Sequence, residues 1–285
     1  MQKVILFVLE NGRRSFMHKQ SFQLHRTLIG WFALGLTREL KCGQNKCIYF
    51  IDKPYVLARS NQGILFLNGD NQGVIEQHGI IFFWHHPKRQ APSWTLPLLN
   101  QREWSPFLHH ELLAQTHPQE VYENSIDVTH FSMVHDFHGL EVVEQPFFEN
   151  HMMSVKHRIR RKTISIFRAG LTDAEFEVRL YGIGCAYNHI HVPSMGLNVR
   201  MLALTTPTKQ GQVCIRLAVA IQIKDTFKKI VIPLLHRKIA KNIVKDFSQD
   251  LPIWENKCYR ERPLLVRGDG QILKFREWCK QFYGE

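Results

Sequence analysis

Long apolar runs, acidic residues and cysteines are all scarce in this chain, and each shortage excludes something. The N-terminal run Val4-Ile5-Leu6-Phe7-Val8-Leu9 is too short to span a bilayer. It also lacks the basic leader and small-residue cleavage site of a secretory signal, and is read as a strand or a docked terminal segment. Six scattered cysteines among 285 residues do not make a disulfide framework, so a reducing, cytoplasmic setting is expected. Asp and Glu number 25 against 37 Lys and Arg, giving a net charge of +12. That excess invites a nucleic-acid reading, but the chain has no zinc-finger, P-loop or RNA-recognition signature, and its basic residues are spread over several elements. No nucleic-acid partner is expected. No repeat or low-complexity segment is present. What remains is 44% hydrophobic and 22% charged, the balance of a soluble globular chain with one large or two modest domains.

Against this background the run Glu123-Asn124-Ser125-Ile126-Asp127-Val128-Thr129-His130-Phe131-Ser132-Met133-Val134-His135 stands out. Neutral imidazoles bind iron, copper, nickel or zinc, and two histidines with one carboxylate on one face of the ion are characteristic of non-haem Fe(II) oxygenases. Asp127 precedes His130 by one helical turn, where its carboxylate could accept the second ring N–H and fix the tautomer. The five-residue step is less accommodating, because on a regular helix it leaves the two rings about 140° apart. For both to reach one ion, the helix must end or bulge between them. The competing reading is a histidine-rich surface in a chain with 16 histidines.

The stretch from Thr116-His117-Pro118 through Asn124, Asp127, His130 and His135 resembles the iron motif of Rieske oxygenase alpha subunits, most closely their sterol and ketosteroid branch, which includes 3-ketosteroid 9α-hydroxylase oxygenase components and cholesterol 7-desaturases. The segments Gln249-Asp250-Leu251-Pro252-Ile253-Trp254-Glu255-Asn256-Lys257, Arg262-Pro263-Leu264-Leu265-Val266 and Phe275-Arg276-Glu277-Trp278 are similar to the close of that branch. Gly30-Trp31-Phe32-Ala33-Leu34 and Gly79-Ile80-Ile81-Phe82-Phe83-Trp84 look like the first and last strands of its Rieske domain. The resemblance implies Fe(II) held by His130, His135 and Asp250, with Asp127 as electron relay and Asn124 beside the ligands. It further implies O2 as co-substrate, a hydrophobic sterol-like or polycyclic substrate, a trimer-type ring and a ferredoxin or reductase as donor.

One departure bears on all of this. A Rieske [2Fe–2S] centre takes two cysteines and two histidines, yet none of Cys42, Cys47, Cys185, Cys214, Cys258 and Cys279 has a histidine two or three residues on. No [2Fe–2S] cluster is expected from this chain, because the cluster loops are missing between Leu65–Asp70 and Gln72–Glu76. Three outcomes follow. The chain is an iron oxygenase subunit, hydroxylating or desaturating its substrate with electrons supplied in trans by a free ferredoxin or a complete Rieske homologue in a mixed oligomer. Or it is a redox-dead binding or regulatory subunit, or a truncated product without function.

The expected fold is α+β. Residues 1–98 read as a degenerate, β-rich Rieske-like region, with strands at Cys47–Leu57, Gly63–Leu67 and Gly79–Trp84. Residues 99–285 read as a helix-grip-type catalytic domain. Its predicted elements are a helix over Pro118–His135, a five-stranded antiparallel meander between Ser154 and Ile223, and helices at Thr226–Val244 and Gly270–Phe282. Lys156–Lys162 reads as a solvated strand or hairpin edge. Ile232, Leu235, Ile239, Ile243 and Phe247 mark an amphipathic helix whose basic side carries Lys228, Lys229, Arg237, Lys238, Lys241 and Lys245. That side is a wet surface, a peripheral contact with anionic lipid, or a docking face for an acidic donor. Met195, Leu197, Val199, Met201 and Ala203 alternate as a strand face that could line an apolar pocket or simply fill the core. Cys185 with His189 and His191, and His109-His110 with His117, are weaker candidates for a thiol nucleophile and a zinc site.

Overall fold

The computed structural model describes residues 27–135, 137, 139–162, 170–223, 232–260, 262–265 and 269–284. The run Val4–Leu9 and the lysines 228 and 229 lie outside them. Thirteen strands named here carry the fold. The N-terminal part holds β1 (Gly30–Leu36), β2 (Asn45–Phe50), β3 (Lys53–Arg59), β4 (Leu65–Leu67), β5 (Val74–Gln77) and β6 (Ile80–His85). They form two small sheets, β1-β6-β5 and β2-β3-β4. The remaining strands are β7 (Leu108–Gln115), β8 (Gly139–Glu149), β9 (Met152–Lys162), β10 (Leu171–Tyr181), β11 (Cys185–Val192), β12 (Leu197–Pro207) and β13 (Gln212–Ile223). They build one antiparallel seven-stranded sheet in the order β7-β13-β12-β11-β10-β9-β8. Among the described residues four α-helices complete the α+β fold: α1 (Pro118–Glu123), α2 (Val128–Val134), α3 (Ile232–Asn256) and α4 (Ile272–Cys279).

The period-two alternation of strands sorts the large sheet's side chains onto two buried faces. Cys185, Tyr187, Leu202, Leu204 and Ala218 pack against Trp31, Ala33, Ile80 and Phe82 of the β1-β6 layer. Their neighbours Ala186, Val199, Met201 and Ala203 join the main core with Ile239, Ile243 and Trp254 of α3. The central strands are therefore apolar on both sides, and they read as near-continuous hydrophobic runs.

Four sequence expectations need correction. The single strand over Cys47–Leu57 is a hairpin, turning at Ile51 and Asp52 with φ of 48° and 61°. The turn lacks the usual Asn-Gly signal because tertiary bonds hold it: Asp52 N–H donates to Thr208 O at 2.8 Å, and Asp52 Oδ1 accepts Gln210 N–H at 2.6 Å. Lys156–Lys162 is not an edge, since β9 pairs with β8 and β10. Arg158 and Arg160 point outward to Glu141 and Asp173, while His157 and Ile159 are buried. The meander has six strands rather than five, β8 to β13, and β7 pairs with β13 to make seven in the sheet, because the mixed sequences of β7 and β8 hide two edge strands; Pro146 is tolerated in β8 because it is an edge. The predicted helix over Pro118–His135 breaks into α1 and α2. Between them Ser125 Oγ bonds back to Tyr122 O at 2.6 Å and Asp127 caps α2, the competition with the backbone that makes such residues helix interrupters.

Charge ties α1 to the C-terminal helices. Glu120 and Glu123 are 0% and 3% exposed. Lys257 Nζ lies 2.5 Å from Glu120 Oε2 and 3.0 Å from Glu123 Oε1, and Arg276 reaches both Glu123 oxygens at 2.6 and 2.9 Å. Burial works against the Glu123 anion, but these cations outweigh it and hold the carboxyl below its ordinary range; burial prevails at Glu120 and lifts it. Removing one partner of a buried pair leaves the other charge uncompensated. Arg276→Met is expected to cost about 3 kcal/mol, read as a lower midpoint of urea unfolding; an unchanged midpoint would mean that Lys257 alone suffices.

Candidate metal centre

The break between α1 and α2 and the end of α2 set the site. Asp127 stands at the N-cap of α2, and its carboxylate accepts the backbone N–H of His130 at 3.2 Å. The expectation that Asp127 accepts the ring N–H of His130 is thus corrected, because an Asp at this position satisfies an orphan helix donor instead. Burial lifts its carboxyl above the ordinary range against that bond. The five-residue step is resolved by helix termination: His135 is the C-cap, with φ −105° and ψ 12°. The two rings meet with centroids 4.8 Å apart and planes at 81°.

Asp250 comes from α3, whose Ile239 and Ile243 are buried. His130, His135 and Asp250 are 8%, 8% and 5% exposed. Asp250 Oδ1 is 3.0 Å from His130 Nε2 and 3.4 Å from His135 Nε2, and the two Nε2 atoms are 3.1 Å apart. Despite these contacts Asp250 Oδ1 is a buried atom without a well-directed hydrogen bond. Bonds of about 2.1 Å to one divalent ion separate donor atoms by about 3.0 Å at right angles and about 3.4 Å at the tetrahedral angle. The three spacings fit three donors on one face of such an ion. Among the described residues this is the one group of three or more His, Cys, Asp or Glu residues whose ligand atoms converge.

The surroundings hold the donors in place. Gln249 Oε1 lies 3.2 Å from His135 Nδ1, where it can accept an Nδ1 proton and leave Nε2 as the nitrogen nearest Asp250. Burial opposes the His135 cation, but Asp250 and Gln249 outweigh it and raise its pKa. Burial likewise opposes the Asp250 anion, and the two imidazoles outweigh it and hold the carboxyl low. Asn124 Nδ2 sits 3.3 Å from His130 Nε2. Sequence reasoning missed Gln249 and Asp246; Gln249 had no signal beyond its place next to Asp250. Behind the donors opens a cleft lined by apolar residues such as Phe131, Phe176, Val178, Ile190 and Trp254 with Asn188 and Asp246 among them. Met201 and Ala203 of the predicted strand face line it, while Leu197 and Val199 belong to the core.

The weaker candidates do not assemble. The Cys185 thiol donates to Trp31 O at 3.4 Å, and burial pushes its pKa well up, the opposite of an activated nucleophile. His109 lies on β7, whereas His117 caps α1 by accepting Gln119 N–H, its pKa pushed down to about 3 by burial. Cys42 and Cys47 are exposed free thiols.

Residues 83–283 match the family model of the 3-ketosteroid 9alpha-hydroxylase C-terminal domain. The chain is 23% identical over 221 residues to the oxygenase component of a 3-ketosteroid-9-alpha-monooxygenase of Rhodococcus rhodochrous, covering 74% of this chain and 56% of that protein. It is 26% identical over 232 residues to a cholesterol 7-desaturase of Xenopus laevis, covering 73% and 50%. The chain thus spans about half the length of these curated relatives. Among solved structures, dicamba monooxygenase bound to 3,6-dichlorosalicylic acid superposes with a TM-score of 0.69 at 14% identity, over 89% of this chain and 96% of that one; at that identity the likeness concerns the fold. The matched span, the helix-capped seven-stranded sheet and the sterol-enzyme relatives agree, and the chain belongs to the 3-ketosteroid 9alpha-hydroxylase C-terminal domain family, within the sterol branch of the Rieske-type oxygenases.

Proposed function

We propose that this chain is a mononuclear non-haem Fe(II) oxygenase subunit that hydroxylates or desaturates a hydrophobic, sterol-like or polycyclic substrate, with electrons supplied in trans. The observation that carries the reading is the convergence of His130, His135 and Asp250 at 3.0 to 3.4 Å in a buried setting. When bound by these three donors, Fe(II) would supply open positions for O2 and the redox chemistry that side chains lack. The protein's own part is to bind, orient and keep water out. Gln249 fixes the tautomer of His135, and Asp127 holds the first turn of α2 and with it His130. Asp127 is proposed as the relay for incoming electrons through that main-chain contact, with Asn124 beside His130. The apolar walls of the cleft suit a fused-ring hydrocarbon.

The donor in this reading is a ferredoxin with its reductase, or a complete Rieske homologue in a shared oligomer. Exposed Arg237, Lys238, Lys241 and Lys245 on α3 offer an acidic donor a docking face. The reading sets the protein in the cytoplasm; among the described residues no helix is long and apolar enough to cross a membrane. A second reading, a binding or regulatory subunit without turnover, is favoured by one observation: β4 closes directly on a Leu67–Asp70 bridge through a turn at Asn68 and Gly69, in the stretch where the family carries cluster ligands.

Anaerobic Fe(II) reconstitution is expected to load about one iron per chain in the parent and none in His130→Ala or Asp250→Ala; a parent that takes up no iron contradicts the proposal. Gln249→Leu should keep the ligands but weaken iron affinity by roughly 10- to 100-fold, measured by competition with a chelator. Sterol oxidation in the presence of a complete Rieske homologue separates the two readings, since no turnover with any donor favours the binding subunit.

A further inference from the structure

Buried polar groups in folded proteins are hydrogen-bonded, and an exception calls for a reason. Asn188, at the centre of β11, is such an exception. It is 6% exposed, and its Oδ1 is fully buried with no hydrogen-bond partner among the described residues. Its cross-strand neighbours are Val178 and Met201, which have no group to offer it. Asn198 on the next strand, comparably buried at 7%, bonds to His191 at 2.8 Å and to Gln222 at 3.2 Å. Asn188 instead lines the apolar cleft, on the sheet side, while the His130, His135 and Asp250 donors line it from the helices.

We infer that Asn188 is a specificity-determining residue that hydrogen-bonds the hydroxyl group of an otherwise apolar, fused-ring alcohol and thereby fixes which carbon faces the metal centre. The inference rests on the cleft being the substrate pocket of the proposed function, and it adds the substrate's chemical class. An unpaired amide oxygen needs a donor. An alcohol can donate to Oδ1 and also accept from Nδ2, whereas a ketone can only accept and leaves Oδ1 unpaired. A site built around a buried hydrogen-bonding group rejects analogues that cannot satisfy it. The alcohol is therefore preferred over both the ketone and the bare hydrocarbon of the same skeleton.

Equilibrium binding tests this with three ligands, a 3β-hydroxysterol, its 3-ketone and the corresponding sterane hydrocarbon, on the parent, Asn188→Leu and Asn188→Ala. The parent should bind the alcohol roughly tenfold or more tightly than the other two. In Asn188→Leu that preference should fall to within about twofold while hydrocarbon binding is kept, and the variant should melt higher because an unpaired buried amide has been removed. Asn188→Ala should lose the same preference, which covers a failure of the leucine variant to fold. A parent without preference, a parent that binds none of the three, or a variant that retains the preference overturns the inference. Iron content is measured on the same samples: a parent that prefers the alcohol yet takes up no iron contradicts the Fe(II) reading and supports the role of Asn188.

Discussion

A carboxylate with 5% exposure, set between two imidazoles and with one oxygen lacking a well-directed hydrogen bond, is the constraint on which the rest of this structure turns. Burying an ionised carboxylate is expensive unless it is compensated. The compensation here comes from two histidines on a separate helix, so the cost of Asp250 can be met only if α2 and α3 are held in one relative position. A divalent ion held by all three donors would compensate the carboxylate directly. The architecture is best understood as the means of keeping these donors together.

The means are distributed. The large sheet provides a rigid floor, packed on one face against the β1-β6 layer and on the other against α3. The caps at Asp127 and His135 define a helix of seven residues, and its end at His135 lets that ring turn toward the ring of His130 in the first turn. The ion cluster of Glu120, Glu123, Lys257 and Arg276 locks α1, and with it the connector to α2, against the segment that follows α3 and against α4. Even the connector is held from the sheet, where the buried His157 bonds to the Ser125 carbonyl at 3.0 Å. Structure and site share the same polar contacts, so stability and donor geometry are expected to rise and fall together.

Much of this was legible in the sequence. The strands of the meander were visible because sheet interiors covered on both faces produce long apolar runs, and the two histidines announced a terminated helix because regular helical geometry cannot bring them together. Other features left no local trace. The Ile51–Asp52 turn exists because residues 207 to 210 hold it, and nothing within the hairpin signals that. Asp127 was assigned to the ring of His130 rather than its backbone because spacing alone does not tell a cap from a ring acceptor. Gln249 and Asn188 acquire meaning only from what surrounds them in space: one faces His135, and the other finds no partner.

Family membership sets the expectation that the three donors hold iron, and the chain's own geometry supplies the physical reason that they can. The position of that ion, more than any rate, decides whether these donors form a metal centre. Crystals grown anaerobically with Fe(II) and measured on either side of the iron absorption edge test it most directly. One anomalous peak is expected about 2.1 Å from His130 Nε2, His135 Nε2 and an oxygen of Asp250. A map without a peak there, or with iron only at the exposed thiols of Cys42 and Cys47, would contradict it.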